Sequence, residues 1–162
     1  MILSNPKLFS LEEAVKIREQ RRDRNIVLTN GCFDLLHMGH IFSLQQAAEF
    51  GELWVALNSD ASIRQLKGMT RPIIVEQERA YMLAALECVS GIFIFNGQRL
   101  THELENFHPD IYVKSADYTI ETLNSNERAV LEKMGIKIQF VDLLEGCSTS
   151  KIIQKIQTLK SL

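Results

Sequence analysis

Two histidines in one short segment are the residues of this sequence best suited to chemistry. Residues 29–40 read TNGCFDLLHMGH, so His37 and His40 are three residues apart with Gly39 between them. If a helix begins here, both side chains lie on the same side of it. The backbone N–H groups of a helix start attract phosphate, and a glycine lets a ligand approach the backbone closely. The segment therefore predicts an anion-binding site in which both histidines donate hydrogen bonds.

Other chemistries for this segment fit the sequence less well. Histidines also occur as structural or surface residues, and that alternative stays open. A zinc site needs more ligands, whereas His102 and His108 fall on a different predicted element. No G-K-[ST] follows, so the segment is not a phosphate-binding P-loop. Cysteine catalysis would need an activating base and a covalent intermediate, so we expect Cys32 and Cys147 to be buried or to line loops.

An alternation of apolar segments and helical patterns must position these residues. Ser10 and Glu13 form a capping-box pattern that starts the first helix. Short apolar segments predict buried strands at 26–30, 53–58, 91–95, 110–114 and 137–142. Helical spacing predicts helices at 10–23, 39–50, 60–67, 76–88, 100–107, 123–134 and from 148 onward. The pattern predicts an α/β fold of the Rossmann-like type, a doubly wound parallel five-stranded sheet with helices on both faces.

Such sheets bind ligands beyond the carboxyl ends of their strands, at the point where the strand order reverses. Polar clusters follow four of the five predicted strands: the histidine segment, NSD at 58–60, KSADY at 114–118 and EGCSTS at 145–150. The sequence therefore predicts one site built from several loops.

Composition narrows the class of protein. The chain has 162 residues, which suits one domain over 1–162, and its formal net charge of −2 argues against a nucleic-acid partner. The three cysteines lack C-x-x-C spacing, which favours a reducing cytosol. No window approaches the roughly 20 apolar residues of a membrane span, and the N-terminus lacks a signal-peptide pattern. We expect a cytoplasmic protein without a membrane partner.

Residues 31–40 have the pattern G-x-F-D-x-x-H-x-G-H, and through it the chain resembles the cytidylyltransferase-like nucleotidyltransferases. These enzymes transfer a nucleoside monophosphate from CTP or ATP to a phosphate group and release pyrophosphate. The chain is most similar to the branch formed by the adenylyltransferase domains of ADP-heptose synthases. The matching stretches are VALNSDASIRQLKG, RPI at 71–73, ER at 78–79, AALE at 84–87, PDIYVKSADY and EGCSTSKIIQKI. The resemblance implies transfer of AMP from ATP to a sugar 1-phosphate, heptose 1-phosphate in that branch, for nucleotide-sugar and lipopolysaccharide synthesis.

The resemblance also implies roles for individual residues. The expected catalytic residues are His37, His40 and Lys114. The expected nucleotide-binding residues are these two histidines and Asn30, Gly31, Cys32, Phe33, Asp34, Gly39, Arg71, Arg79, Asp117, Ser148, Thr149 and Ser150. The expected substrate-binding residues are Asn58, Asp60, Lys67, Lys114, Asp117 and Tyr118. Mg²⁺ is expected as the partner of the triphosphate, because it neutralises charge between phosphates, and the sequence shows no dedicated metal cage.

Simpler roles stay open for several of these residues. Asp34 is equally suited to capping a local turn, and Ser148 to capping the last helix. Lys67, Arg71 and Arg79 have the alternative of being ordinary surface charges.

Two departures from family patterns bear on the substrate. The branch usually reads K-G-G-D-Y where this chain has KSADY at 114–118, and Leu143 and Leu144 stand where glycerol 3-phosphate cytidylyltransferases have Arg-Thr. Two alternatives stay open: a CTP-dependent cytidylyltransferase for glycerol 3-phosphate or another polyol or aminoalcohol phosphate, and a non-catalytic nucleotide-binding module. A homodimer is common in the family. A fused sugar kinase does not fit in 162 residues, so we expect any kinase on a separate chain.

Overall fold

Six parallel strands form one sheet in the computed structural model, which describes residues 5–21 and 23–159. The strands are β1 Leu8–Phe9, β2 Ile26–Gly31, β3 Glu52–Asn58, β4 Gly91–Phe95, β5 Ile111–Ser115 and β6 Lys137–Val141, in the spatial order β1-β4-β3-β2-β5-β6. All five predicted strands are present. The sixth, β1, pairs with β4 at the sheet edge. It was not predicted because two residues are too few to show a pattern.

Seven helices connect these strands in the described part of the chain. They are α1 Leu11–Gln20, α2 Met38–Ala48, α3 Asp60–Lys67, α4 Glu76–Ala84, α5 Thr101–Phe107, α6 Ser125–Met134 and α7 Thr149–Leu159. The predicted capping box is confirmed at the start of α1, where Ser10 and Glu13 bond each other's backbone N–H groups. Helix α1 is shorter than the predicted 10–23. One residue of that range, Arg22, and the ends of the chain at 1–4 and 160–162 lie outside the described residues.

The helices form two layers, one on each face of the sheet. Apolar residues of α2 and α4 pack on one face of the central strands, around Leu44, Leu83 and Val55. Apolar residues of α1, α5 and α6 pack on the other face, around Trp54 and Phe107. The central strands are apolar on both faces because both are covered, as expected for a parallel sheet. None of the described helices is long and apolar enough to cross a bilayer.

The strand order reverses between β2 and β5, which are hydrogen-bonded neighbours although α2 to α5 lie between them in sequence. The chain proceeds from β2 outward through β3 and β4, and then returns to the other side of β2 with β5 and β6. This is the switch point at which ligands bind in open α/β sheets.

Candidate active site

A cavity of about 890 Å³ opens at the carboxyl edge of the sheet, over the switch point. The loops that follow β2, β4, β5 and β6 contribute to its lining, together with Asn58 at the end of β3 and the end of α3. Of the residues predicted for the site, those that line it are Asn30, Gly31, Cys32, Phe33, His37, Gly39, His40, Asn58, Lys67, Lys114, Asp117, Tyr118, Ser148, Thr149 and Ser150. The structure therefore brings most of the predicted residues together, from segments far apart in sequence.

The two histidines are stacked at the start of α2. His37 is the N-cap residue of that helix, and the ring centroids of His37 and His40 are 3.8 Å apart with an interplanar angle of 19°. The Nδ1 atoms of both rings are buried and have no hydrogen-bond partner among the described residues. Buried polar atoms without partners are costly. The pair is therefore suited to a site whose polar groups are satisfied only when a ligand is bound.

Gly39 allows the loop before α7 to pack against the histidines. A Cβ atom at this position would lie 2.9 Å from the Cβ atom of Cys147 and 3.1 Å from the His37 ring. Any other residue would push the β6–α7 loop or the His37 ring away. The glycine therefore couples the histidine segment to the loop that carries Ser148.

Burial keeps both histidines neutral near pH 7. Loss of solvation lowers the pKa of His40 to about 4, and the nearby His37 and Lys67 add to this effect. Burial also lowers the pKa of His37. A neutral imidazole has one N–H donor and one acceptor nitrogen. Each ring can thus donate one hydrogen bond to a phosphate oxygen, and a bound anion would favour the protonated form.

Lys114 and Asn30 meet across the switch point. The Lys114 Nζ atom donates to Asn30 Oδ1 over 2.8 Å, and the Tyr112 hydroxyl donates to the same oxygen over 2.9 Å. The Lys114 ammonium also lies 5.2 Å from the ring centroids of Tyr112 and Tyr118. Burial lowers the pKa of Lys114 from its usual range. A desolvated ammonium held by neutral partners can bind an incoming phosphate strongly.

Asp34 fixes the loop before α4 rather than facing the cavity. Its carboxylate accepts hydrogen bonds from the backbone N–H groups of Ile73 and Ile74 over 2.7 and 3.1 Å. Arg71 Nη1 also donates to it over 2.6 Å. Asp34 is only 3% exposed. The structure thus gives Asp34 neither a place on the cavity wall nor the cap of a local turn, because its partners lie 37 to 40 residues away in sequence. Arg71 is paired with this carboxylate and is not on the cavity wall.

Arg79 lies behind the cavity, fully buried. Its guanidinium donates to the Cys32 carbonyl oxygen over 2.6 Å, to the Ile74 carbonyl oxygen over 2.9 Å and to Asp60 Oδ1 over 2.8 Å. Neither Arg79 nor Asp60 lines the cavity. This differs from the predicted nucleotide contact by Arg79 and substrate contact by Asp60. The physical reason is that the Arg79 guanidinium donates to two backbone carbonyl oxygens and is itself paired with Asp60, so it positions the backbone that carries Cys32.

The start of α7 is capped by a serine and also lines the cavity. Ser148 Oγ accepts a hydrogen bond from the Lys151 backbone N–H over 3.2 Å, so it caps the helix. Ser148, Thr149 and Ser150 also line the cavity. Free N–H groups and hydroxyls at a helix start suit an anionic ligand.

Several lining residues were not predicted from the sequence. They include Thr29, Ser43, Gln98, Arg99, Thr122, Asn124 and Glu127. Gln98 and Arg99 follow β4 just as the predicted segments follow their own strands, so the switch-point rule would find them if applied to every strand end. Glu127 lies near the start of α6, and no local pattern connects it with the cavity.

No group of three or more His, Cys, Asp or Glu side chains in the described ranges 5–21 and 23–159 could hold a metal ion. The three cysteines are free.

Residues 28–155 match the family model described as Cytidylyltransferase-like. The chain belongs to the cytidylyltransferase-like family. Among the curated proteins, the bifunctional protein HldE of Syntrophotalea carbinolica is 46% identical over 148 residues, which are 91% of this chain and 30% of that protein. The chain thus spans about a third of the length of such relatives.

Two solved structures share the fold of this family member. The lipopolysaccharide core biosynthesis protein from Thermoplasma volcanium has a TM-score of 0.61 and 27% identity, and the match covers 75% of this chain and 97% of that one. A pantoate-beta-alanine ligase from Francisella tularensis has a TM-score of 0.59 at 14% identity, over 83% of this chain and 66% of that one. The second likeness concerns the fold alone, and both agree with the predicted Rossmann-like architecture.

Proposed function

We propose that this chain transfers AMP from ATP to heptose 1-phosphate and releases pyrophosphate, which gives a nucleotide sugar. The observation that carries the proposal is the stacked His37–His40 pair, which lines the same cavity as Lys114. The relatives named HldE and the lipopolysaccharide core biosynthesis protein of Thermoplasma volcanium support the sugar branch of the family.

The reaction exchanges one phosphorus–oxygen bond for another. An oxygen of the acceptor phosphate attacks the α-phosphorus of ATP, and the bond from that phosphorus to the oxygen that bridges the β-phosphorus breaks. Pyrophosphate leaves with the bonding electrons. Such transfers depend on positioning and charge stabilisation more than on covalent protein chemistry.

His37 and His40 donate hydrogen bonds to the triphosphate and stabilise the charge that develops on the departing pyrophosphate. The cavity-lining start of α7 offers further N–H donors to the nucleotide. Lys114, held by Asn30 between the two sides of the switch point, provides the positive charge that brings the acceptor phosphate toward the α-phosphorus. Lys67, exposed at the cavity, adds a second positive charge near His40. Mg²⁺ bound to ATP would neutralise charge between the phosphates.

Pyrophosphate release tests this function. Purified protein is incubated with Mg²⁺ and either ATP or CTP, against heptose 1-phosphate, hexose 1-phosphates, glycerol 3-phosphate and aminoalcohol phosphates. We expect release with ATP and heptose 1-phosphate. Release with CTP and glycerol 3-phosphate alone would overturn the proposal in favour of a polyol cytidylyltransferase. Nucleotide binding without release from any acceptor would instead indicate a non-catalytic module.

The proposed substrates and the family also bear on the cellular location and the oligomeric state of the chain. ATP and phosphorylated sugars are cytosolic metabolites, so we propose a cytoplasmic location, which fractionation of the native host tests. The homodimer expected from the family remains a prediction, and light scattering on a sizing column measures it.

A further inference from the structure

The cavity has a second polar wall that belongs to the other layer of helices. Gln98 and Arg99 come from the β4–α5 loop, and Asn124 and Glu127 come from the start of α6. Helices α5 and α6 pack on the opposite face of the sheet from α2, which carries His40. The cavity is therefore lined by residues from both helix layers, and each of these two walls could bind a different molecule.

The backbone around Arg99 is held in place on both sides. Ser62 Oγ donates to the Gly97 carbonyl oxygen over 2.7 Å, and Gln98 Nε2 donates to Gln65 Oε1 over 3.2 Å, which ties the loop to α3. The Leu100 backbone N–H donates to Glu127 Oε1 over 3.0 Å, which ties it to α6. Arg99 is therefore presented to the cavity from a fixed backbone.

The Arg99 side chain itself has no partner in the part of the chain that the structure describes: it forms neither an ion pair nor a side-chain hydrogen bond there. By contrast, the guanidinium groups of Arg71 and Arg79 are paired with Asp34 and Asp60. Arg99 also lies near Lys114: burial lowers the pKa of Lys114, the carboxylate of Glu127 raises it, the positive charge of Arg99 lowers it further, and Asp117 raises it. A guanidinium without a carboxylate partner, close to an ammonium group, favours a ligand that carries a phosphate.

Glu127 offers the complementary chemistry. It is 5% exposed and lines the cavity, and its Oε1 atom is occupied by the Leu100 N–H group. Its Oε2 atom makes no hydrogen bond within the described residues. An ionised carboxylate only accepts hydrogen bonds, so it repels phosphate and binds hydroxyl groups. Sugar hydroxyls are donors of this kind.

We propose that Arg99 and Glu127 form the subsite for the acceptor, in which Arg99 binds the phosphate of a sugar 1-phosphate and Glu127 accepts hydrogen bonds from the sugar hydroxyls. This inference rests on the proposed function, and it assigns the acceptor to the α5–α6 wall and the nucleotide to the α2–α7 wall. Specificity for a sugar over a simple phosphate then depends on Glu127, and affinity for the phosphate on Arg99.

The test measures binding directly. Heptose 1-phosphate is titrated by calorimetry into the intact protein loaded with α,β-methylene ATP. Arg99→Ala should weaken its binding about 10- to 100-fold, the usual effect of losing a charge-assisted hydrogen bond. The affinity for the ATP analogue should change less than about threefold. Arg128→Ala is the matched control, because Arg128 is an exposed arginine of α6 paired with Glu132 and outside the cavity lining. It should bind like wild type.

The Glu127→Gln variant distinguishes recognition of the sugar from support of the β4–α5 loop. Its side-chain carbonyl can still accept the Leu100 N–H bond, so the loop should stay in place. We expect heptose 1-phosphate to bind several-fold more weakly and inorganic phosphate to bind as in wild type, whereas Arg99→Ala should weaken both. Equal loss of both ligands in Glu127→Gln would mean that the carboxylate only supports the loop, which would overturn its assigned role.

Three results would overturn the inference about Arg99: binding of heptose 1-phosphate to Arg99→Ala within twofold of wild type, an equal loss of affinity for the ATP analogue, or no saturable binding of heptose 1-phosphate to the loaded wild type. The proposed function fails on a different result, the absence of pyrophosphate release by wild type. The two failures are therefore distinguishable.

Discussion

Replacing Arg79 with Met should destabilise the whole chain rather than remove one ligand contact. Met has a stem of similar length without donors, so the substitution leaves the Cys32 and Ile74 carbonyl oxygens and the Asp60 carboxylate without the guanidinium. Asp60 is only 16% exposed at its side chain, so water solvates it incompletely. The variant therefore leaves an uncompensated charge in a region of low dielectric.

The size of the loss follows from these three contacts. Breaking a buried ion pair by removing one partner costs roughly 3–5 kcal/mol, and each neutral hydrogen bond adds about 1 kcal/mol. The costs of losing these three contacts do not add fully, because all three involve the same guanidinium group. Burial of the apolar Met side chain offsets part of the loss. We expect a loss of about 3–5 kcal/mol in the free energy of unfolding. That is a large share of the roughly 5–15 kcal/mol by which domains are stable.

Urea unfolding followed by tryptophan fluorescence measures this loss. Trp54 is the single tryptophan of the chain and is 1% exposed, so its emission reports on the core. Arg128→Met is the control, because the Arg128–Glu132 pair is exposed on α6 and the urea midpoint should stay near wild type. Adding Asp60→Asn to Arg79→Met should restore part of the loss by removing the unpaired charge. An Arg79→Met protein within about 1 kcal/mol of wild type would refute the positioning role.

Three further predictions concern the histidine segment. His40→Ala should lower turnover roughly ten- to a thousandfold through loss of a transition-state donor, while the urea midpoint stays near wild type; unchanged turnover would contradict its role. Gly39→Ala should weaken ATP binding in a fluorescence titration, because the new Cβ atom would lie 2.9 Å from the Cβ atom of Cys147; unaltered affinity would count against the close packing. The pKa of His40 is about 4 in the folded state against an ordinary value of 6.5, so the unfolded state binds more protons between these pH values. Stability should fall by about 1–2 kcal/mol from pH 6.5 to pH 4 after allowance for solvent screening, and less steeply in His40→Gln.

The sheet could be predicted from the sequence because each long strand is an apolar segment bounded by turn residues. Strand β3, for example, is buried at six consecutive positions, a pattern typical of a parallel strand covered on both faces. Strand β1 has only Leu8 and Phe9, so its extended structure depends on pairing with β4 and not on a local sequence pattern. The spatial order of the strands also depends on contacts between distant segments.

Placement at the cavity could be predicted where residue type and local position suffice, as for His37 and His40, which follow β2, and Lys114, which lies near the end of β5. The role of Arg79 could not, because an arginine that binds phosphate and one that binds buried carbonyl groups look alike in sequence. Arg79 lies 47 residues after Cys32 in sequence, and the fold brings its guanidinium within 2.6 Å of the Cys32 carbonyl oxygen. This contact distinguishes the two kinds of arginine. Glu127 was not predicted for the same reason, because its hydrogen bond with the Leu100 N–H group joins residues that are 27 apart in sequence.

The topology itself bears on the proposal that one cavity holds two phosphate-bearing molecules. At the switch point the connections leave β2 toward one layer of helices and β5 toward the other, so the loops above these strands diverge and open a crevice. The Lys114–Asn30 bond spans that crevice over 2.8 Å and places a positive charge between the two walls. A phosphoryl transfer needs its nucleophile and its phosphorus brought together from separate binding sites. A lysine shared by both walls meets that need, whereas a charge on either wall alone would favour only one of the two molecules.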